Sequence, residues 1–164
     1  MIGNTLQLSG ESVNSLTAKV NGADFVATII GGRYDEGPGG EPEWIRRSWG
    51  RGLLHPQDKT HVLVFISINW DITGEQTYNL AESNLPVSIG FTNLFPSEDG
   101  DENQYLVYAK KGTLTITHSK DTFIAEGSFD FDVDIPNQPD GSTLSFRVTD
   151  GKFYVGPSDK LSSR

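Results

Sequence analysis

Residues Gly112–Val133 read GTLTITHSKDTFIAEGSFDFDV, and two runs within this stretch alternate with a period of two. Leu114 and Ile116 point one way and Thr113, Thr115 and Thr117 the other; Phe129, Phe131 and Val133 likewise oppose Ser128, Asp130 and Asp132. Successive side chains of a strand leave on opposite faces, so each run reads as a half-buried strand with one apolar and one wet face. The polar tetrad His118, Ser119, Lys120 and Asp121 has turn chemistry. A β-hairpin follows, with His118 at its tip.

The same grammar extends in both directions. Leu16, Ala18 and Val20 alternate with polar neighbours up to Asn21-Gly22, a pair that accepts the positive φ of a type I′ hairpin turn. Asp24 to Ile30 returns as the second strand. His61 to Trp70 places Val62, Val64, Ile66, Ile68 and Trp70 on one face and Leu63 and Phe65 on the other, so both faces of this strand are expected to be partly covered. Shorter strands are expected at Gln76–Leu80, at Val87–Phe91 behind Pro86, and at Tyr105–Ala109, from which Lys110-Lys111-Gly112 turns into the hairpin. Leu144–Val148 and Lys152–Val155 flank Asp150-Gly151, which reads as a second type I′ turn.

No segment shows a 3.6-residue period. About eight to ten short strands at close spacing predict an all-β chain, an antiparallel β-sandwich or a β-barrel. Residues 15–156 read as one β domain, preceded by a segment or edge strand at 1–14 and followed by a tail at 157–164. Within the domain, residues 31–60 break the rhythm: Gly31, Gly32, Gly37, Gly39, Gly40, Gly50 and Gly52 sit among Pro38, Pro42 and Pro56. They read as a long inserted loop, and connections of that length are usually functional or disordered.

Composition narrows the function classes. The 164 residues suffice for a sizeable core, and 9 Phe, 5 Tyr and 3 Trp argue for a folded chain. A formal charge of −9 opposes nucleic-acid phosphates and anionic membrane surfaces. Zero cysteines exclude disulfides, thiolate zinc sites and a cysteine nucleophile. The longest apolar run, Val62–Ile66, is too short to span a bilayer, and the first residues lack the charge and apolar pattern of a leader. The expected location is cytoplasmic if Met1 is the natural start, and periplasmic or otherwise exported if a leader has been removed.

Read as a string of strand motifs, AKVNGADFVAT, INWDITGEQTYNL, GTLTIT, EGSFDFDV and VTDGKF, the chain resembles a group of small, uncharacterised all-β bacterial proteins, many of them lipoproteins or periplasmic. The pieces fall in that family's order from Ala18 to Phe153. The resemblance implies one β-rich domain and carries over no activity or site residues. Two departures are expected from that pattern: the sequence holds no cysteine that a lipoprotein leader would acylate, and the 31–60 insertion reads as longer than the family's.

The densest meeting of aromatics and cations is Trp44-Ile45-Arg46-Arg47-Ser48-Trp49-Gly50-Arg51. Trp and Arg combine large contact area with planar hydrogen bonding and cation–π contacts. Trp44, Arg46, Arg47, Trp49 and Arg51, with Tyr34 and His55 as neighbours, are therefore the expected contacts to a protein partner or small ligand. The competing reading folds both tryptophans back as lids, with the arginines paired to Asp35, Glu36, Glu41 and Glu43.

Other constellations carry less. Asp99, Asp101 and Asn103 start like a calcium loop, but Gln104 stands where the turn glycine belongs and Lys110 where the bidentate Glu belongs. A solvated acidic loop is the expectation. Asp130, Asp132 and Asp134 recur every second residue, roughly 6.5–7 Å apart on one strand face. That spacing suits a glycosidase-like carboxylate pair, but alternation alone makes such rows, and a solvated face that discourages edge pairing is expected. His55, His61 and His118 show no metal-ligand spacing, no nucleophile elbow is present, and Gly37-Pro38-Gly39-Gly40 lacks the lysine and helix of a phosphate cradle. No catalytic residue, metal or cofactor is assigned. The expected function is a non-enzymatic binding module. The alternatives are a β-barrel carrier of an apolar ligand or a small hydrolytic enzyme, and an acidic inhibitor or subunit of a bacterial assembly.

Overall fold

A computed structural model describes residues 14–36, 44–55, 59–69, 72–94, 106–119, 121–122, 124–136, 138 and 140–156; the side chains of residues 34–36, 44 and 55 are not described. Eleven strands occur among them: β1 (Ser15–Val20), β2 (Ala23–Val26), β3 (Ile29–Glu36), β4 (Trp44–His55), β5 (Thr60–Asn69), β6 (Gly74–Asn79), β7 (Val87–Leu94), β8 (Val107–Tyr108), β9 (Gly112–His118), β10 (Ala125–Ile135) and β11 (Leu144–Val155). They form two antiparallel sheets packed as a sandwich, with no closed barrel. Sheet A runs β2-β1-β11-β10-β9-β6 and sheet B runs β3-β4-β5-β7-β8. No helix among the described residues is long and apolar enough to cross a membrane.

The opening stretch folds as its alternation requires. β9 pairs with β10 through Leu114↔Phe129 and Ile116↔Gly127, and Leu114, Ile116, Phe129, Phe131 and Val133 are all buried. Opposite them, β5 sends Val62, Val64, Ile66 and Ile68 into the same core. Phe91 of β7 joins the layers, its ring 5.9 Å from Phe131 and 4.9 Å from Phe146. Asn21-Gly22 makes the expected β1–β2 turn, with φ of 51° and 85°.

His118 differs from its expected place at the hairpin tip. It ends β9 between Ala125 and Gly74, is 1% exposed, and its Nδ1 lies 2.7 Å from the Ile72 carbonyl oxygen. The tip itself is closed by Ser119, whose Oγ accepts the Thr122 amide and whose own amide bonds Ile124.

Asp150-Gly151 is not a turn. β11 runs unbroken from Leu144 to Val155, and the register against β10 jumps from Phe131↔Val148 to Phe129↔Gly151. Thr149 and Asp150 thus oppose one residue, the definition of a β-bulge. Asp150 takes φ 54°, the same left-handed conformation that a hairpin turn would have demanded. The extra residue shifts the alternation by one, so Phe146 and Val148 before it and Phe153 and Val155 after it all face the core. Gly151 is required there because a Cβ would lie 2.2 Å from the Phe129 ring.

The expected loop at 31–60 is largely a β-hairpin. β3 and β4 pair from Ile29↔Arg51 to Glu36↔Trp44, and β4 pairs with β5 along its other side. Gly31, Gly32, Gly50 and Gly52 are sites of close approach instead of loop residues: a Cβ on Gly50 would meet Leu16 and Ala27 at 3.0 Å, and one on Gly52 would lie 2.6 Å from the Val26 carbonyl oxygen, while Gly37, Gly39 and Gly40 lie outside the described residues. Pro38, Pro42 and Pro56, like the acidic stretch 97–103, lie outside the described residues.

Candidate functional site

The alternation of β4 sorts the arginine- and tryptophan-bearing stretch onto two faces. Arg46, Ser48, Gly50, Gly52 and Leu54 are buried, whereas Ile45, Arg47, Trp49 and Arg51 are half-buried on the outer face. Arg46, expected to contact a partner, is instead 0% exposed. Its Nη2 donates to the carbonyls of Val155 at 2.9 Å and Gly156 at 3.2 Å, which ties the end of β11 in sheet A to β4 in sheet B. The guanidinium fits because Gly32 carries no Cβ; one would stand 3.0 Å from Nη2.

On the outer face, register places side chains in rows. Gly31, Trp49, Phe65, Gly90 and Tyr108 are successive neighbours across β3, β4, β5, β7 and β8. The Trp49 and Phe65 rings stack at 6.2 Å with 27° between planes. The indole lies across Gly31, where a Cβ would be 2.5 Å from its ring carbon. This leaves the ring flat on the sheet and directed toward the outer strand β3. The next row is Arg33, Arg47 and Ser67, and the row on the other side is Ile29, Arg51 and Leu63.

The cations are held by the rings. Arg33 sits 5.6 Å over Trp49 and Arg47 5.9 Å over Phe65, and Arg47 Nη1 donates to Ser67 Oγ at 3.3 Å. Arg33 and Arg47 are directly opposite in register, a like-charge placement that opposes pairing. Separate aromatic seats move the two charges apart. No Asp or Glu occurs in residues 29–33, 45–54 or 60–69, while β3 itself ends in Asp35 and Glu36.

Of the expected residues, Arg47, Trp49 and Arg51 therefore share one surface and Arg46 does not. Tyr34, Trp44 and His55 are placed by backbone register only, opposite Arg46, Glu36 and Thr60. Sequence reading missed Arg33 and Phe65. The signal for Phe65 was present in the apolar second face of His61–Trp70; nothing local marked Arg33, whose aromatic neighbour Trp49 comes from β4.

The aspartate row is a solvated strand face. Asp132 accepts from Arg147 Nη1 at 2.9 and 3.2 Å, Asp134 from Ser145 at 2.6 Å and Asp130 from Thr113 at 3.3 Å. β10 lies inside sheet A, so the row guards no edge. Asp132, Asp134 and Arg147 also line an open concavity of about 520 Å³ with Lys110 and Lys111. No cluster of three or more metal-ligating side chains occurs among the described residues. Comparison with known protein families, with the curated proteins and with solved structures finds no match.

Proposed function

We propose that this chain is a non-enzymatic binding module whose docking surface is the outer face of sheet B. The observation that carries the reading is the Trp49 indole, which lies against Gly31 on one side and stacks with Phe65 on the other, flanked by Arg33, Arg47 and Arg51. Aromatic and arginine side chains dominate the energetics of protein interfaces because they bury large areas at small conformational cost. A sheet face holds them more firmly than a loop would. The ligand is thus taken on the surface, since the space between the sheets is filled by apolar side chains from both layers. A relationship to the small all-β bacterial proteins is proposed on the order of the shared strand motifs.

Co-purification from the native source, with tagged wild type beside Trp49→Ala and Arg51→Glu, tests the reading. Thermal melts establish that each variant is folded. A partner held by wild type and released by both folded variants is the expected result. Retention by both would remove the face from consideration.

A further inference from the structure

One hydrogen bond shows which main-chain groups of β6 leave the sheet. The Leu80 amide donates to the Gly112 carbonyl at 2.9 Å, and β6 runs antiparallel to β9 from Gly74↔His118 to Asn79↔Thr113 without a register shift. Main-chain groups alternate sides along a strand, so Gln76 and Tyr78 also bond β9, while Glu75, Thr77 and Asn79 turn their amides and carbonyls outward. Among the described strands β6 pairs with β9 alone. Gly74, Glu75, Gln76, Thr77 and Asn79 are exposed, and Tyr78 is half-buried. Natural edges are blunted by shortness, lysine, proline or bulges. β2 and β8 are four and two residues long, and on β3 Gly32 and Arg33 are already engaged. β6, with sequence GEQTYN, is six residues long and carries no lysine, proline or bulge.

We propose that β6 pairs antiparallel with β6 of a second copy of this chain, about a twofold axis at Thr77, so that sheet A of one copy continues into sheet A of the other. In this register Thr77 faces its own counterpart and Glu75 faces the partner's Asn79. Each facing pair exchanges both of its main-chain hydrogen bonds. The side chains of the edge are complementary to themselves. Thr77 Oγ1 lies 2.9 Å from Thr115 Oγ1, so Glu75, Thr77 and Asn79 share the outer face of sheet A. Two Thr77 side chains at the axis prolong that contact into a hydroxyl ladder across the seam. Asn79 Oδ1 accepts the Ala81 amide at 3.0 Å, which leaves the Asn79 side-chain nitrogen to donate to the partner's Glu75.

Charge selects the register. Centred on Thr77, the two Glu75 carboxylates stand about 14 Å apart along the seam, whereas a register centred on Glu75 would set them face to face. The net charge of −9 on each copy opposes association at long range, and physiological salt screens that repulsion beyond about 8 Å. A twofold axis relating antiparallel neighbours in one sheet is normal to that sheet, so both copies carry sheet B on the same side. The two Trp49-bearing faces then point the same way, and a repetitive partner engages both at once. The pairing goes beyond the docking face and stands without it.

Sedimentation of the full chain from about 5 to about 500 μM, at about 0.15 M salt, tests the pairing. A concentration-dependent shift from monomer to dimer is expected, with amide exchange slowed at Glu75, Thr77 and Asn79 in the dimer. Thr77→Pro removes an outward amide that β9 does not use and should abolish the dimer, with a thermal melt to establish folding. Asn79→Asp keeps an acceptor for the Ala81 amide but sets a carboxylate against the partner's Glu75, and should weaken the dimer about tenfold. Adding Glu75→Lys to Asn79→Asp converts that repulsion into a charge pair and should return the affinity to within about threefold of wild type. Trp49→Ala should leave the equilibrium unchanged. A monomer at every concentration, a dimer that survives Thr77→Pro, a double variant no tighter than Asn79→Asp alone, or a dimer lost with Trp49→Ala would each overturn the inference. If Thr77→Pro does not fold, the two charge variants decide by themselves.

Discussion

Arg46 and Arg47 are adjacent in the chain and opposite in role. Arg46 is buried between the sheets and donates to two carbonyls at the end of β11, so Arg46→Ala leaves a cavity and two unsatisfied acceptors. A loss of about 2–4 kcal/mol is expected, read from the denaturant midpoint. Arg51→Ala, on the outer face, should cost less than about 1 kcal/mol; equal losses would mean that the two faces of β4 are not as different as their burial. Ser48 offers the converse case. Its Oγ is buried with no hydrogen-bond partner among the described residues, and a stranded hydroxyl opposes folding. Ser48→Ala should therefore be neutral or stabilising by up to about 1 kcal/mol.

Acid sensitivity is also local. The Lys19 ammonium hydrogen-bonds Asp24 at 2.8 Å across the β1–β2 hairpin and holds its carboxyl below the usual value, while Lys19 is raised. A depressed folded-state value means that Asp24 contributes above its unfolded pKa of about 3.9, and that the contribution is lost as pH falls through the lower folded value. Carboxyl NMR should find the Asp24 midpoint below that of an unfolded peptide, and Lys19→Met should return it. Both side chains are solvent-exposed, so the global stability change is small.

At the scale of the element, the bulge in β11 decides which residues of the last strand are inside. Deleting Asp150 would restore simple alternation and turn Phe153 and Val155 outward, exposing two side chains that are 3% and 0% accessible. Each such exposure costs about 1.5–3 kcal/mol. The deletion variant should lose its cooperative thermal transition, and one that melts like wild type would mean the strand ends can re-register. The element scale is also where sequence reading met its limit. Asn21-Gly22 and Asp150-Gly151 carry the same left-handed conformational signal, yet one joins two strands and the other interrupts one. Backbone preference specifies φ; it does not specify whether the chain reverses. Glycines 31, 32, 50 and 52 misled for a similar reason. A missing Cβ serves a tight turn and a close strand contact equally well, and only the neighbouring Trp49, Arg46, Leu16 and Val26 reveal which applies.

For the whole molecule, the first and last described strands are joined: β1 lies between β2 and β11, with Leu16 opposite Phe153. Arg46 adds a cross-sheet tie at the same end. The β1–β11 and β6–β9 pairings span long sequence separations, so folding should be a single cooperative process on the ms–s scale typical of β-sandwiches, visible as a two-arm chevron. The period-two alternation of Leu114, Ile116, Phe129, Phe131, Val62, Val64, Ile66 and Ile68 is a property of residues two apart, so the sequence by itself determined the strand character, the inward faces and the all-β class. It determined the aromatic–basic composition of β4 as well. Tertiary structure alone decided that the strands form an open sandwich, that Asp150 makes a bulge, that Arg46 goes inside, and that Arg33 and Phe65 join Trp49. Each of those outcomes depends on which strand lies alongside which, and strand pairing is set by packing between residues far apart in the chain, where no local period reaches.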